Sequence, residues 1–261
     1  MRFAIGIEYD GSAYHGWQRQ RSGTGIQERL EAAIGTVAGH DLAVHGAGRT
    51  DAGVHASGQV AHFDSDSPRS LRSWLLGANS NLPPDINLTW VHPVPGDFHA
   101  RFSALCRHYR YVILNRAARS ALFRQRAWWI HQPLDAERMH RASQDLVGKH
   151  DFSAFRAAGC QAKSPVRQVQ RLSVHRDGDF ITIDIVADAF LQRMVRNLAG
   201  TLVAVGLGEQ NEGWAAEVLA RRDRTQAGAA APPQGLTLVQ VRYPPVFGIP
   251  AGGISQDKPL P

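Results

Sequence analysis

Cysteine is scarce: two occur in 261 residues, Cys106 and Cys160, far apart and in no CxxC pair. That excludes a disulfide framework and a thiolate zinc knuckle and fits a reducing compartment, so the expected location is the cytoplasm. No apolar run approaches the ~18 residues of a membrane span, and the opening MRFAIGIEYDG reads as a strand rather than a signal peptide. Twelve histidines are present, yet none falls in HExxH or another ligand spacing, so no metal is expected. Acid is the scarcer charge: 23 Asp and Glu against 29 Lys and Arg leave a net +6 and a pI near 9.8. Such a balance favours a polyanionic partner, because Lys and Arg displace the counterions condensed on phosphates.

What is there is an ordinary globular composition, 43% hydrophobic and 20% charged, enough for one large domain or two of average size. RFAIGIEY alternates, with Phe3, Ile5, Ile7 and Tyr9 on one face, and predicts a half-buried strand. TGIQERLEAAIGTVAG predicts a helix with a Thr24–Gln27 capping box, an apolar stripe of Ile26, Leu30, Ile34 and Val37, and a stop at Gly39. A second helix is expected to open at Ser67-Pro68, with proline at its first position, and to bury Leu71, Trp74 and Leu75. INLTWVHPV and RYVILN read as strands. In the later half, Asp135 caps a predicted helix, and VQRLSVHRDGDFITIDIVA reads as two strands joined by an Asp177-Gly178 turn. FLQRMVRNLAGTLVAVGLG and EGWAAEVLARR predict helices, and GLTLVQVRY a last strand. The rhythm implies an α+β fold of mainly antiparallel halves, cut near residue 104 into domains 1–104 and 105–245, with a flexible tail over 246–261.

The stretch GAGRTDAGVH, residues 46–55, sets a carboxylate among glycines. A phosphate loop fails on the residues: the sixth position of the GxGxxG pattern is Asp51, and no Lys-Ser/Thr follows. Two readings stay open on spacing alone. One is a structural turn in which Arg49 and Asp51 share a surface contact worth ~0–1 kcal/mol. The other is a catalytic carboxylate, with Gly46, Gly48 and Gly53 removing the Cβ atoms that would block a substrate and an arginine keeping the acid ionised. Further on, RHYRYVILNR interleaves cations with aromatics; in a strand, Arg107, Tyr109 and Tyr111 share one face and His108 and Arg110 the other. Seven arginines within residues 101–126 (101, 107, 110, 116, 119, 124 and 126) suit a phosphate-binding surface.

GAGRTDAGVHASGQVAHF resembles the signature of the tRNA pseudouridine synthase A family. IEYDGSAYHGWQRQ (7–20), DFHARFSA (97–104), RHYRYVILN (107–115), DFSAFR (151–156) and MVRNLAG (194–200) are similar to that family's other blocks, in its order. The resemblance implies two similar halves meeting around a central basic cleft, with Asp51 as the catalytic residue. It makes Tyr109, Arg49 and Arg196 substrate-binding, Arg196 supporting the carboxylate from the second half, and Arg107, Arg110 and Arg193 RNA-binding. Gln192 and Arg193 depart from the family's usual His or aromatic before MVRN, and His108 from its usual Arg or Lys. The implied reaction converts uridine to pseudouridine on the 3′ side of the anticodon stem–loop of tRNA, in a homodimer that needs no cofactor. A flipped base would stack on Tyr109. A non-catalytic RNA-binding module and a carboxylate glycosidase are the rival classes; the second needs another acid as proton donor, and the other acids in the matching blocks are Asp10, Asp97 and Asp151 beside the motifs' edges, with Glu8.

Overall fold

The computed structural model describes residues 1–20 and 23–250. Two compact units divide the chain: residues 1–107 with the chain from Leu238 on, and residues 108–237. The expected cut near 104 therefore moves to the Arg107–His108 bond, and the final strand, assigned from sequence to the second domain, joins the first unit from Leu238.

The first unit is built on strands β1 (Arg2–Tyr9), β2 (His45–Gly46), β3 (His55–Asp64) and β4 (Ile86–Val94), with helices α1 (Ile26–Ala38) and α2 (Leu71–Asn81). β1 lies between β3 and β4, antiparallel to both, and β2 pairs antiparallel with β3. The alternation of β1 holds, but the strand is buried on both faces. Its second face buries only Ala4 and Gly6, between half-buried Arg2 and exposed Glu8, and the Trp90 indole lies across Gly6 where any Cβ would collide with it. α1 begins at Ile26 with Gly25 as its cap, so no Thr24 capping box forms; the Gln27 amide donates instead to Glu31 Oε1 (3.0 Å) and Val44 O (3.1 Å). Gly39 ends the helix as expected, at φ 78°. α2 starts three residues later than Pro68 suggested, because Ser70 caps it by accepting from Ser73 N at 3.0 Å. Trp74 is buried against Phe3 and Phe63, whereas Leu71 is exposed.

The second unit holds most of β5 (Cys106–Asn115), then β6 (Trp128–Ile130), α3 (Ala136–Gln144), β7 (Gly148–Asp151), β8 (Val166–Asp177), β9 (Phe180–Ala187), α4 (Met194–Gly206) and α5 (Trp214–Arg221). The strand order is β5-β9-β8-β7; β8 is antiparallel to β7 and β9, and β6 runs parallel to β5. Asp135 caps α3 by accepting from Arg138 N at 2.9 Å. The β8–β9 hairpin forms, but Asp177 pairs with Phe180, so the turn residues are Gly178 and Asp179, with Gly178 at φ 55°. Strand β10 (Leu236–Arg242) returns the chain to the first unit, where β3 is its neighbour. The expected tail opens on a 3-10 turn, Pro245–Phe247, whose Phe247 ring packs 5.1 Å from Phe98; residues 251–261 lie outside the described residues. Among the described residues, no helix is long and apolar enough to cross a membrane.

Candidate active site

Residues 47–54 join β2 to β3 and carry Asp51. Asp51 opens a tight turn closed by Val54 N to Asp51 O at 3.1 Å. Gly53 stands at its third position with φ 76°, the conformation a type II turn reserves for glycine. The loop is threaded into a second one, residues 10–17. Trp17 N donates to Thr50 O at 3.0 Å, Gly53 N to Tyr14 O at 3.3 Å, and the Thr50 hydroxyl meets Tyr9 OH at 2.8 Å. Gly16, at φ 95°, leaves so little room that a Cβ there would lie 2.6 Å from Thr50 O. A Cβ on Gly11 would strike Val54 O, and Gly11 N donates to His55 Nδ1 at 3.1 Å, with Asp10 Oδ1 3.2 Å from that nitrogen.

These contacts revise the reading of the glycines. Gly46 is covered by Trp17, whose Cζ2 would lie 2.5 Å from an added Cβ, and Gly53 supplies a left-handed turn. Both serve the loop's own shape rather than a substrate's approach. Asp51 itself is half-buried and Arg49 exposed, while Thr50 between them is buried.

Arg107 also departs from expectation. It is 8% exposed, and its Nη2 donates to Ala47 O at 2.9 Å and Arg101 O at 2.6 Å. This guanidinium is largely buried and buttresses the start of the Asp51 loop, a structural role that the sequence did not show. The face it shares with Tyr109 and Tyr111, legible in the alternation, is buried, and so is His108 on the other face.

In the second unit, Tyr109 is 7% exposed with its ring edge-on to Phe190 at 5.0 Å. Tyr111 is fully buried and donates to Pro232 O at 2.8 Å. His108 and Arg110, on the opposite face of β5, converge on Asp184 of β9 at 2.6 and 3.0 Å. Burial works against that carboxylate, but the hydrogen bonds from His108 and Arg110 outweigh it and hold the acid below its ordinary range. Arg110 thus has a partner of opposite charge inside the protein; the lone acid on the neighbouring strand gave no sequence signal. Arg193 is exposed and caps α4 in a left-handed conformation, φ 62°. Arg196, one turn on, is half-buried; its Nε donates to Ala231 O at 2.7 Å while Ala231 N donates to Arg196 O at 3.0 Å. Of the seven clustered arginines, 101, 116, 119, 124 and 126 are exposed. Among the described residues, no three or more His, Cys, Asp or Glu side chains are placed to hold a metal.

The family profile described as "tRNA pseudouridine synthase" matches residues 5–103 and 142–244. The chain is 51% identical over 260 residues to the tRNA pseudouridine synthase A of Alcanivorax borkumensis, covering 99% of this chain and 95% of that protein. It is 54% identical over 250 residues to the protein of that name from Aeromonas hydrophila, covering 96% and 93%. The chain belongs to the tRNA pseudouridine synthase A family. It is accordingly an enzyme of the isomerase class. Arg49, Asp51, Arg193 and Arg196 fall inside the stretches matched by the pseudouridine synthase profile; Arg107, Tyr109 and Arg110 fall between them, within the span of the whole-chain relatives.

Proposed function

We propose that the protein isomerises uridine to pseudouridine on the 3′ side of the anticodon stem–loop of tRNAs, with Asp51 as the catalytic carboxylate. The observation that carries this reading is the turn itself. A half-buried acid stands at the head of a turn whose neighbours on both sides are bolted to residues 9–17, so the backbone that carries the carboxylate is held before any substrate arrives.

The chemistry needs no imported group. The N1–C1′ bond breaks, the freed uracil turns in place, C5 bonds to C1′ and gives up its proton, and N1 ends protonated. Attack on C1′, addition to the ring and removal of the 2′ proton all require Asp51 ionised. The target base must first leave its stack, at a cost of a few kcal/mol, which stacking on Tyr109 would partly offset. Arg49 would position the extruded nucleotide, Arg196 would supply positive charge to the reaction, and Arg193 with the exposed arginines of 101–126 would hold phosphates. Arg110 keeps a secondary RNA role only as part of its pair with Asp184. The reading includes a cytoplasmic homodimer and no cofactor.

The test incubates the protein with unmodified tRNA transcript and maps pseudouridine by chemical labelling and primer extension. Asp51→Asn should cut the rate by about a thousand-fold or more while leaving tRNA binding in place. Equal activity in the two proteins would return Asp51 to a structural turn.

A further inference from the structure

Beside the Asp51 loop, the first unit carries a run of aromatic rings that the reaction does not use. His62 lies near-parallel to His45, centroids 5.1 Å apart, and meets His99 at 4.7 Å; His99 meets Phe102 at 4.4 Å. The run is rooted in the protein and ends in solvent: His62 is 2% exposed and Phe102 75%. Arg101 stands 5.5 Å from the Phe102 ring centre, at the outer reach of a cation–π contact.

A single exposed phenylalanine is unremarkable on a protein surface; this one is held. His99 Nδ1 accepts from Arg101 N (3.1 Å) and, at 3.4 Å, from Phe102 N, and His99 N donates to Ser103 Oγ at 2.9 Å. His62 Nδ1 accepts from Ala100 N at 3.2 Å. Such bonds need uncharged imidazoles. Burial, then the neighbouring His99, Arg2 and His45, bring His62 down to about 4, and burial with His45 and Arg2 lowers His99 as well. Arg107 completes the frame by donating to both Arg101 O and Ala47 O, which fixes the ring run to the start of the Asp51 loop.

A rigid, water-facing ring beside a guanidinium suits a nucleobase with its phosphate: the ring takes the base's face and the cation its charge. The nearby acids do not cancel this, since Asp64 is already paired with Arg2 at 2.7 Å and Asp97 is exposed to water. We propose that Phe102, with Arg101 and His99, is a stacking platform for an unpaired tRNA nucleobase other than the one isomerised. The proposal rests on tRNA being the substrate, and it adds a recognition surface to that reading.

Binding of unmodified tRNA transcript is measured across a salt series for wild type, Phe102→Ala, Phe102→Trp and Arg101→Ala, alongside steady-state and single-turnover pseudouridine formation. Phe102→Ala should weaken binding about ten-fold at an unchanged salt slope, with the loss in Kd and KM rather than in the saturated single-turnover rate. Phe102→Trp should restore binding, and Arg101→Ala should reduce the salt slope by about one. Wild-type affinity in Phe102→Ala overturns the platform. So does a loss confined to the saturated rate, which would put the ring on the target base. A Phe102→Ala protein that changes its sedimentation while binding tRNA normally makes the patch an interface between copies and likewise overturns it. Wild type that forms no pseudouridine defeats the catalytic reading, while the binding series still decides the platform.

Discussion

Asp51 rides on a loop shaped by backbone meeting backbone, whereas Tyr109 and Arg196 stand on a regular strand and helix. In the first unit, Gly11 and Gly16 let residues 10–17 lie directly on residues 50–54, so the geometry depends on atoms that are missing. In the second, Tyr109 is placed by burial on β5 and Arg196 by two hydrogen bonds to Ala231, so the geometry depends on atoms that are present. A loop held this way tolerates no added atom at the crossing, while a side chain on an element is tuned by its neighbours.

The sharpest way to break that contrast is to add one methyl group to each unit. Gly16→Ala combines φ 95° with a 2.6 Å approach to Thr50 O and should cost about 2–4 kcal/mol in urea unfolding, with pseudouridine formation falling alongside. Gly178→Ala sits at φ 55° with nothing within 4 Å and should cost about 1–2 kcal/mol with activity retained. Equal losses would mean the interlock is not what shapes the loop.

A smaller effect is expected from Arg107→Lys. A lysine cannot span Ala47 O and Arg101 O as the guanidinium does, so stability should fall by about 1–2 kcal/mol. The salt slope of tRNA binding should not move; a drop of about one would make Arg107 a phosphate contact after all.

A last contrast separates the units by acid. His62 stays neutral in the folded first unit down to about 4, whereas an unfolded histidine takes its proton near ~6.5. Its contribution is constant above that value and is lost as pH falls from there to about 4. Asp184 in the second unit is depressed instead, after its partners overcome burial. What it adds persists down to ordinary carboxylate values, ~3.9, and disappears only as pH falls through its lower folded value. Hydrogen exchange between pH 7 and 3 should therefore show the first unit loosening first, and His62→Asn should remove that lead. Simultaneous loosening would refute the assignment.

The strands and helices were legible because their periodicity is carried by large apolar residues: Ile26, Leu30 and Ile34 on α1, or Ile181, Ile183 and Ile185 on β9, all buried. Ends were less legible. The choice of Ser70 over Pro68, or of Gly25 over Thr24, turns on which backbone N–H finds an acceptor, and that is settled in three dimensions. Asp51 stood out because a carboxylate among glycines is chemically odd and because its surroundings match a family signature. Asp10, His55 and Asp184 did not, since each acquires meaning only from a partner: Gly11 N for His55, and His108 with Arg110 for Asp184. The structural role of Arg107 was not legible, because an arginine beside tyrosines reads the same whether it faces RNA or backbone carbonyl oxygens.

The second unit is one unbroken stretch, residues 108–237, but the first is completed by the strand that starts at Leu236 and enters it at Leu238. On the ribosome, at about 5–20 residues per second, the stretch without Asp51 emerges whole while β3 waits with an open edge. A chain stopped short of Leu238 would leave bare the part of that edge that β2 does not cover, a template for pairing with another molecule. Premature termination should thus yield aggregates rather than a shortened, idle enzyme.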